Sequence, residues 1–229
     1  MTKTVVVTGA NRGLGLEYCR QFLEKGDKVY ACCRAPESAE DLLKLKQQYC
    51  EKLETVPLDV THPAQRTNLK NTLQGEQIDI LVNNAGIYGQ RLKFGEVESE
   101  EWLKVMKVNT IAPLLLVQEL VEFMPQGSKI VLMTSKMGSI ADNTSGGSYI
   151  YRSTKAALNA VGKSMAHDLS DKGISVAICH PGWVLTDMGG PNALIDTRIS
   201  IKGLIAVIER LGLENSGQFF NYDGALIPW

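Results

Sequence analysis

The feature that most limits what this chain can become is a series of short apolar runs, each ending in a turn and followed by a helical pattern. Residues 4–7 read Thr-Val-Val-Val, and comparable runs fill 28–33, 53–58, 78–82, 129–133 and 173–179. A strand that is apolar on both faces must be covered on both, which places it in a parallel sheet between two helical layers. Helical spacing lies between the runs. Leu16, Cys19, Phe22 and Leu23 follow the first, and Leu42, Leu43 and Leu45 follow the second. Longer patterns cover 98–124, 151–171 and 197–211, with Trp102, Val105, Met106, Leu116, Leu120 and Val121 at core spacing in the first of these. Residues 218–221 offer a last strand. The alternation predicts an α/β fold: a Rossmann-like, doubly wound parallel sheet of about seven strands with helices on both faces.

Local signals place some of the boundaries. Ser38 with Asp41 is a capping-box pattern opening a helix, and Thr61 is expected to cap a helix that carries Pro63 in its first turn. Asn109 falls inside the apolar pattern of 98–124. A buried amide in mid-helix needs a partner, so this residue calls for a reason. No linker, repeat or low-complexity run divides the 229 residues, and we expect one domain over 1–229. Its N-terminal half should bind a dinucleotide and its C-terminal half should carry catalysis and substrate.

Composition excludes several classes. The formal net charge of -1, with no basic block, gives no surface for nucleic acid or an anionic membrane. No run approaches the roughly 18 apolar residues of a membrane span, and the apolar run at the N-terminus is too short for a signal peptide. The five cysteines are odd in number and lack C-x-x-C spacing, which suits reduced thiols in a cytoplasmic protein. His62, His167 and His180 are scattered, so no metal is expected.

The first strand breaks at Thr8-Gly9-Ala10-Asn11-Arg12-Gly13-Leu14-Gly15, and a helix follows. Strand, glycine-rich turn and helix form the context of a phosphate cradle. Glycines let backbone approach a pyrophosphate, and the helix start offers N–H groups and a positive dipole end. The spacing is T-G-x-x-x-G-x-G rather than G-x-G-x-x-G. The second run ends in Cys33-Arg34, with no acid there to take a ribose 2′-hydroxyl. Arg34 and Arg12 converging on one 2′-phosphate would select NADP over NAD. The fourth run closes at Asn83-Asn84-Ala85-Gly86, where the two amides could simply tie the turn. Gly189-Gly190-Pro191 suggests a mobile segment. Tyr151 and Lys155 stand four apart on one helix face, so a cation sits near a phenol and favours its ionised form. Tyr149 has Ser153 at the same spacing, which makes it a decoy.

Taken in order, Thr8-Gly9-x-x-x-Gly13-x-Gly15, Asp59-Val60, Asn83-Asn84-Ala85-Gly86, Asn109, Ser135, Tyr151-x-x-x-Lys155 and Pro181-Gly182 resemble the short-chain dehydrogenase/reductase family over essentially the whole chain. The details around Tyr151 and Pro181 look most like the sniffer/C-factor type of NADPH-dependent carbonyl reductases. The resemblance implies a reductase of small-molecule carbonyls with NADP(H) as cofactor. It implies a catalytic set of Asn109, Ser135, Tyr151 and Lys155. Tyr151 would be the general acid, Ser135 would polarise the carbonyl oxygen, and Lys155 would lower the tyrosine pKa and hold the nicotinamide ribose. Asn109 would hold a proton-relay water. Cofactor contacts would fall on Gly9, Asn11, Arg12, Gly13, Leu14, Gly15, Arg34, Asp59, Val60, Asn83, Ala85, Gly86, Tyr151, Lys155, Pro181, Gly182, Val184 and Thr186. The short segment after Thr186 implies an open pocket, and relatives pair into homodimers or homotetramers through the 98–124 and 151–171 helices. A second reading is a cofactor-binding signalling or redox-sensing protein on the same fold. A serine hydrolase built on Ser135 fails because no G-x-S-x-G elbow surrounds it.

Overall fold

The structure, a computed structural model, describes residues 2–229. Seven strands form one parallel sheet: β1 (Thr4–Thr8), β2 (Lys28–Cys33), β3 (Leu53–Pro57), β4 (Ile80–Asn83), β5 (Lys129–Met133), β6 (Ser175–His180) and β7 (Phe219–Asn221), in spatial order β3-β2-β1-β4-β5-β6-β7. The order reverses between β1 and β4. Crevices for ligands in such sheets open at the carboxyl ends of strands beside that reversal.

Val5, Val6 and Val7 of β1 are fully buried, and successive side chains enter different cores. Val5 and Val7 join a cluster with α1 (Gly13–Glu24), α2 (Glu40–Tyr49) and α7 (Thr197–Arg210). Val6 joins the cluster of α3 (Pro63–Thr72), α5 (Ala112–Leu120) and α6 (Tyr149–Asp168) on the other face. Each such side chain contributes about 1.5–3 kcal/mol on burial. The doubly wound architecture is therefore as the apolar runs require.

Several boundaries differ from the sequence expectation, each for a local reason. The helix after β2 starts at Glu40 with Ala39 as its cap residue. Ser38 instead ends a 3-10 turn and donates its hydroxyl to the Ala35 carbonyl. Likewise α3 is capped at His62, because both the N–H and the hydroxyl of Thr61 donate to the Asp59 carboxylate. β4 begins at Ile80, since the Asp79 carboxylate accepts the Thr4 N–H (2.7 Å) ahead of the strand. β6 begins at Ser175, after Gly173 closes a 3-10 turn in left-handed conformation (φ 69°). That turn, Ser170–Lys172, also ends α6 short of residue 171, while α6 starts two residues before Tyr151.

The 98–124 segment is helical from Ser99 to Phe123, as its spacing implies, but not uniformly α: α4 (Ser99–Met106) passes through a π-helical turn (Lys107–Ile111) into α5 and a closing 3-10 turn (Val121–Phe123). Asn109 occupies the middle of the π-helical turn. Such turns insert a residue into the helix and often redirect a side chain at a functional site.

Gly162 brings α6 close to the sheet: a Cβ there would lie 2.7 Å from both Ile178 Cγ1 and Leu132 Cδ1. Gly162→Val should therefore overpack this layer and destabilise the protein by about 1–3 kcal/mol. A urea midpoint equal to wild type would refute that packing.

Candidate active site

The glycine turn leaves β1 and starts α1. Gly9 and Gly13 take positive φ (67° and 55°), which side chains rarely adopt. A Cβ on Gly15 would run into the Gly9 carbonyl oxygen, so glycine is required for the turn to close on itself. Arg12, at the helix start, supplies no side-chain cap, which leaves first-turn N–H groups of α1 without an intrahelical partner next to Asn11 and Leu14 in the chain. The opposite wall is the loop after β4. Asn84 is its brace: its side-chain amide donates to the Thr8 and Gly9 carbonyls (2.9 and 3.2 Å), while Thr8 Oγ1 accepts the Asn84 and Ala85 N–H groups (3.0 Å each). Of the two asparagines, Asn84 thus ties the turn. Asn83 is buried with its Nδ2 unpartnered at the end of β4. A cradle that a Cβ would fill, an uncapped helix start and an orphaned amide together fit a dinucleotide phosphate group.

The flanks of this crevice carry the other expected contacts. Arg34 is exposed just beyond β2, and its charge acts on Asp59 beyond β3. Hydrogen bonds from Thr61, with Arg34 adding to them, hold the Asp59 carboxyl below its ordinary value. Val60 is fixed through its carbonyl, which accepts from the buried Arg66 (3.0 Å). Arg12 forms an ion pair with Asp187, on the segment after β6, which folds back over the glycine turn. A Cβ on Gly13 would lie 3.5 Å from Thr186 Cγ2.

Asn109 has the partners its burial demands. Its Oδ1 accepts the Ile87 N–H (2.9 Å), and its Nδ2 donates to the Ile87 carbonyl (2.8 Å) and to Thr154 Oγ1 on α6 (3.1 Å). The amide therefore joins the β4 loop to the helix of Tyr151. Gly86 lies between Asn109 Oδ1 and Lys155 Nζ, where a Cβ would stand 3.3 and 3.5 Å from them.

Ser135 lies just past β5, and its hydroxyl accepts the Met137 N–H (3.2 Å). Tyr151 and Lys155 share the inward face of α6, 8% and 4% exposed. Lys155 Nζ donates to the Met133 carbonyl (2.7 Å) and lies 5.7 Å from the centre of the Tyr151 ring. Burial pushes the Tyr151 phenol up to about 12, with the Ser135 hydroxyl pulling the other way. Burial also draws Lys155 down to about 8.

Past β6, Pro181, Gly182, Val184 and Thr186 lead into the segment that folds back toward the glycine turn, where a Cβ on Gly182 would meet Ile195 and Tyr222. The glycine pair that suggested mobility is instead held in place. Gly189 donates its N–H to Thr186 Oγ1 (3.2 Å) and accepts from Trp183 Nε1 (2.7 Å), and Gly190 donates to the Thr186 carbonyl (2.8 Å). Met188 of this segment sits 4.0 Å from the Tyr151 hydroxyl. Sequence reasoning missed Met188, Asp187 and Tyr88, whose ring stacks on Tyr151. No spacing in the chain marks them, since all three reach the site only through folding. Among the described residues, no three His, Cys, Asp or Glu side chains are grouped to hold a metal ion. Among them, too, no helix is long and apolar enough to cross a membrane.

Comparison with known proteins places this geometry in context. A family model described as short chain dehydrogenase matches residues 3–194. C-signal of Myxococcus xanthus is 41% identical over 154 residues, covering 66% of this chain and 93% of that protein. A 1-hydroxy-2-glutathionyl-2-methyl-3-butene dehydrogenase of a Rhodococcus species is 33% identical and covers 99% of both chains. Among solved structures, carbonyl reductase Sniffer of D. melanogaster superposes with a TM-score of 0.94 at 32% identity, covering all of both chains. NADPH-bound carbonyl reductase from chicken fatty liver superposes at 0.92 and 33%, covering 100% of this chain and 99% of that one.

The depressed Lys155 carries a stability signature. Between about 8 and the ordinary lysine value of about 10.4, the unfolded chain holds a proton that the folded chain has released, so stability rises with pH across that window. Wild type minus Lys155→Met, compared by urea unfolding, should gain on the order of 2 kcal/mol from pH 7.5 to 9.5. A difference that does not change with pH would show that Lys155 is not buried as described.

Proposed function

Because the chain belongs to the short chain dehydrogenase family, we propose that it is an NADPH-dependent oxidoreductase that reduces aldehyde or ketone carbonyls to alcohols. The observation that carries this reading is the grouping of Tyr151 and Lys155 on the inward face of α6, with Lys155 Nζ 5.7 Å from the Tyr151 ring centre and Ser135 just past β5. Reduction needs a proton donor at the carbonyl oxygen, and a phenol can be that donor. NADP(H), when bound, supplies the hydride. Tyr151 donates to the oxygen on which negative charge grows, and the Ser135 hydroxyl polarises that oxygen. Preformed donors of this kind lower the barrier because they need not reorganise during the reaction. Lys155 holds the ribose, and Asn109 holds a water that relays protons to Lys155.

The two arginines support a preference for the 2′-phosphate. Arg34 is free of an acidic partner on its own strand. The ion pair of Arg12 with Asp187 is solvent-exposed, and such pairs contribute only about 0–1 kcal/mol, so an incoming phosphate can recruit Arg12. The solved relatives that hold NADPH or NADP support the same assignment. Five free cysteines, four of them buried, suit a cytoplasmic protein. Exposed Leu103 on α4 and Ile111 in the π-helical turn suit pairing into a homodimer through that surface. A second reading, a signalling protein on this fold, draws support from the identity to C-signal. A scaffold would keep its biological effect without Tyr151, and a reductase would lose it.

Two measurements test the proposal. Tyr151→Phe should lower kcat at least 100-fold while NADPH affinity stays within twofold; unchanged turnover would remove Tyr151 from the mechanism. NADPH should bind at least tenfold tighter than NADH by cofactor fluorescence, a gap of about 1.4 kcal/mol, and Arg34→Ala should narrow it. Equal binding of the two cofactors would overturn the arginine reading.

A further inference from the structure

Tyr88 belongs to none of the motifs discussed above, yet it is held on three sides. Its ring stacks on that of Tyr151, with centroids 4.4 Å apart and planes 17° from parallel. Its backbone neighbour Ile87 is pinned at both N–H and carbonyl by the Asn109 amide. Its hydroxyl shares a 2.8 Å hydrogen bond with Ser148 Oγ. Ser148 is the residue from which α6 starts, and it adopts φ 48°, a left-handed conformation uncommon for a side chain. A serine there would ordinarily cap the helix, but this one makes no side-chain cap bond and spends its hydroxyl on Tyr88.

The result is a column of four groups. The Arg91 guanidinium lies 5.0 Å from the Tyr88 ring centre, Tyr88 lies on Tyr151, and the Lys155 ammonium lies on Tyr151 at 5.7 Å. A tyrosine ring rotates about a broad χ2 well unless something fixes its plane. Tyr88, anchored at the loop and at the helix start, supplies that constraint, and it shields one side of the Tyr151 ring from water.

We propose that Tyr88 is a positioning residue for the acid: it fixes the plane of the Tyr151 ring and closes that side of the pocket, so that a carbonyl substrate enters between Ser135 and Met188. The assignment rests on the reductase reading, since it concerns Tyr151 as proton donor. Small errors in donor placement are costly to rate, so the effect should fall on kcat rather than on cofactor binding.

The test uses the full chain with NADPH and 4-nitrobenzaldehyde as the probe carbonyl. Tyr88→Leu should lower kcat at least tenfold and leave the KM for NADPH within twofold. Tyr88→Phe, which keeps the stack, should restore kcat to within threefold of wild type. Ser148→Ala, which like Tyr88→Phe loses only the Tyr88–Ser148 hydrogen bond and keeps the stack, should also stay within threefold of wild type, and Tyr88→Met, which removes the ring, should lower kcat at least tenfold and decides the matter if Tyr88→Leu does not fold. A second readout is independent of turnover. The Tyr151 phenolate absorbance, isolated by subtracting from each protein the same protein carrying Tyr151→Phe, should appear at lower pH in Tyr88→Leu and at the wild-type pH in Tyr88→Phe. The charged groups of the column, Lys155 and Arg91, are the same in all of these proteins. Wild-type rate and wild-type phenolate onset in Tyr88→Leu would overturn the assignment. If wild type reduces no carbonyl, the reductase reading fails by itself, and the phenolate onset still decides whether Tyr88 covers Tyr151.

Discussion

A parallel sheet is covered on both faces, so its central strands here are largely apolar on both and each return runs through covering structure. That constraint sets where chemistry can occur. Polar groups gather where the strands stop: Thr8, Asn83, Ser135 and His180 all stand at or just past a carboxyl end. The glycine turn, the Asn84 brace and the Met133 carbonyl that holds Lys155 are consequences of the same layering. α6 then has to pack close enough to bring its inward face to that edge. Gly162 and Gly138 permit this, since a Cβ on Gly138 would press against the Lys155 backbone at 2.8 Å.

Close packing also governs the electrostatics. Burial acts against whichever form is charged, so it moves Tyr151 up and Lys155 down at once. Lys155 meanwhile donates to the Met133 carbonyl, which fixes its ammonium beside the Tyr151 ring.

Asn109 shows how one buried amide can serve both fold and site. Its demand for partners is met by Ile87 and Thr154, and the π-helical turn is what aims it there. Through it, the β4 loop, the α4–α5 segment and α6 share one junction, and Tyr88 is placed beside Tyr151 by the same bonds.

The strands, their parallel pairing, the glycine turn and the face shared by Tyr151 and Lys155 were all legible from the chain, because each depends on spacing within a short stretch. Period-two and period-3.6 patterns and the backbone freedom of glycine are local properties, and they determined the architecture together with the order of the motifs. Other features depended on distant partners. Asp59 took the Thr61 groups and moved a cap, Ile87 took the Asn109 amide at the π-helical turn, and Asp187 came 175 positions along the chain to Arg12. Tyr88 met Tyr151 only when two loops closed on the same strand ends. The sequence by itself determined which residues could do chemistry. Only the tertiary structure decided their charge state and their neighbours, because desolvation and long-range hydrogen bonding exist only once the layers have packed.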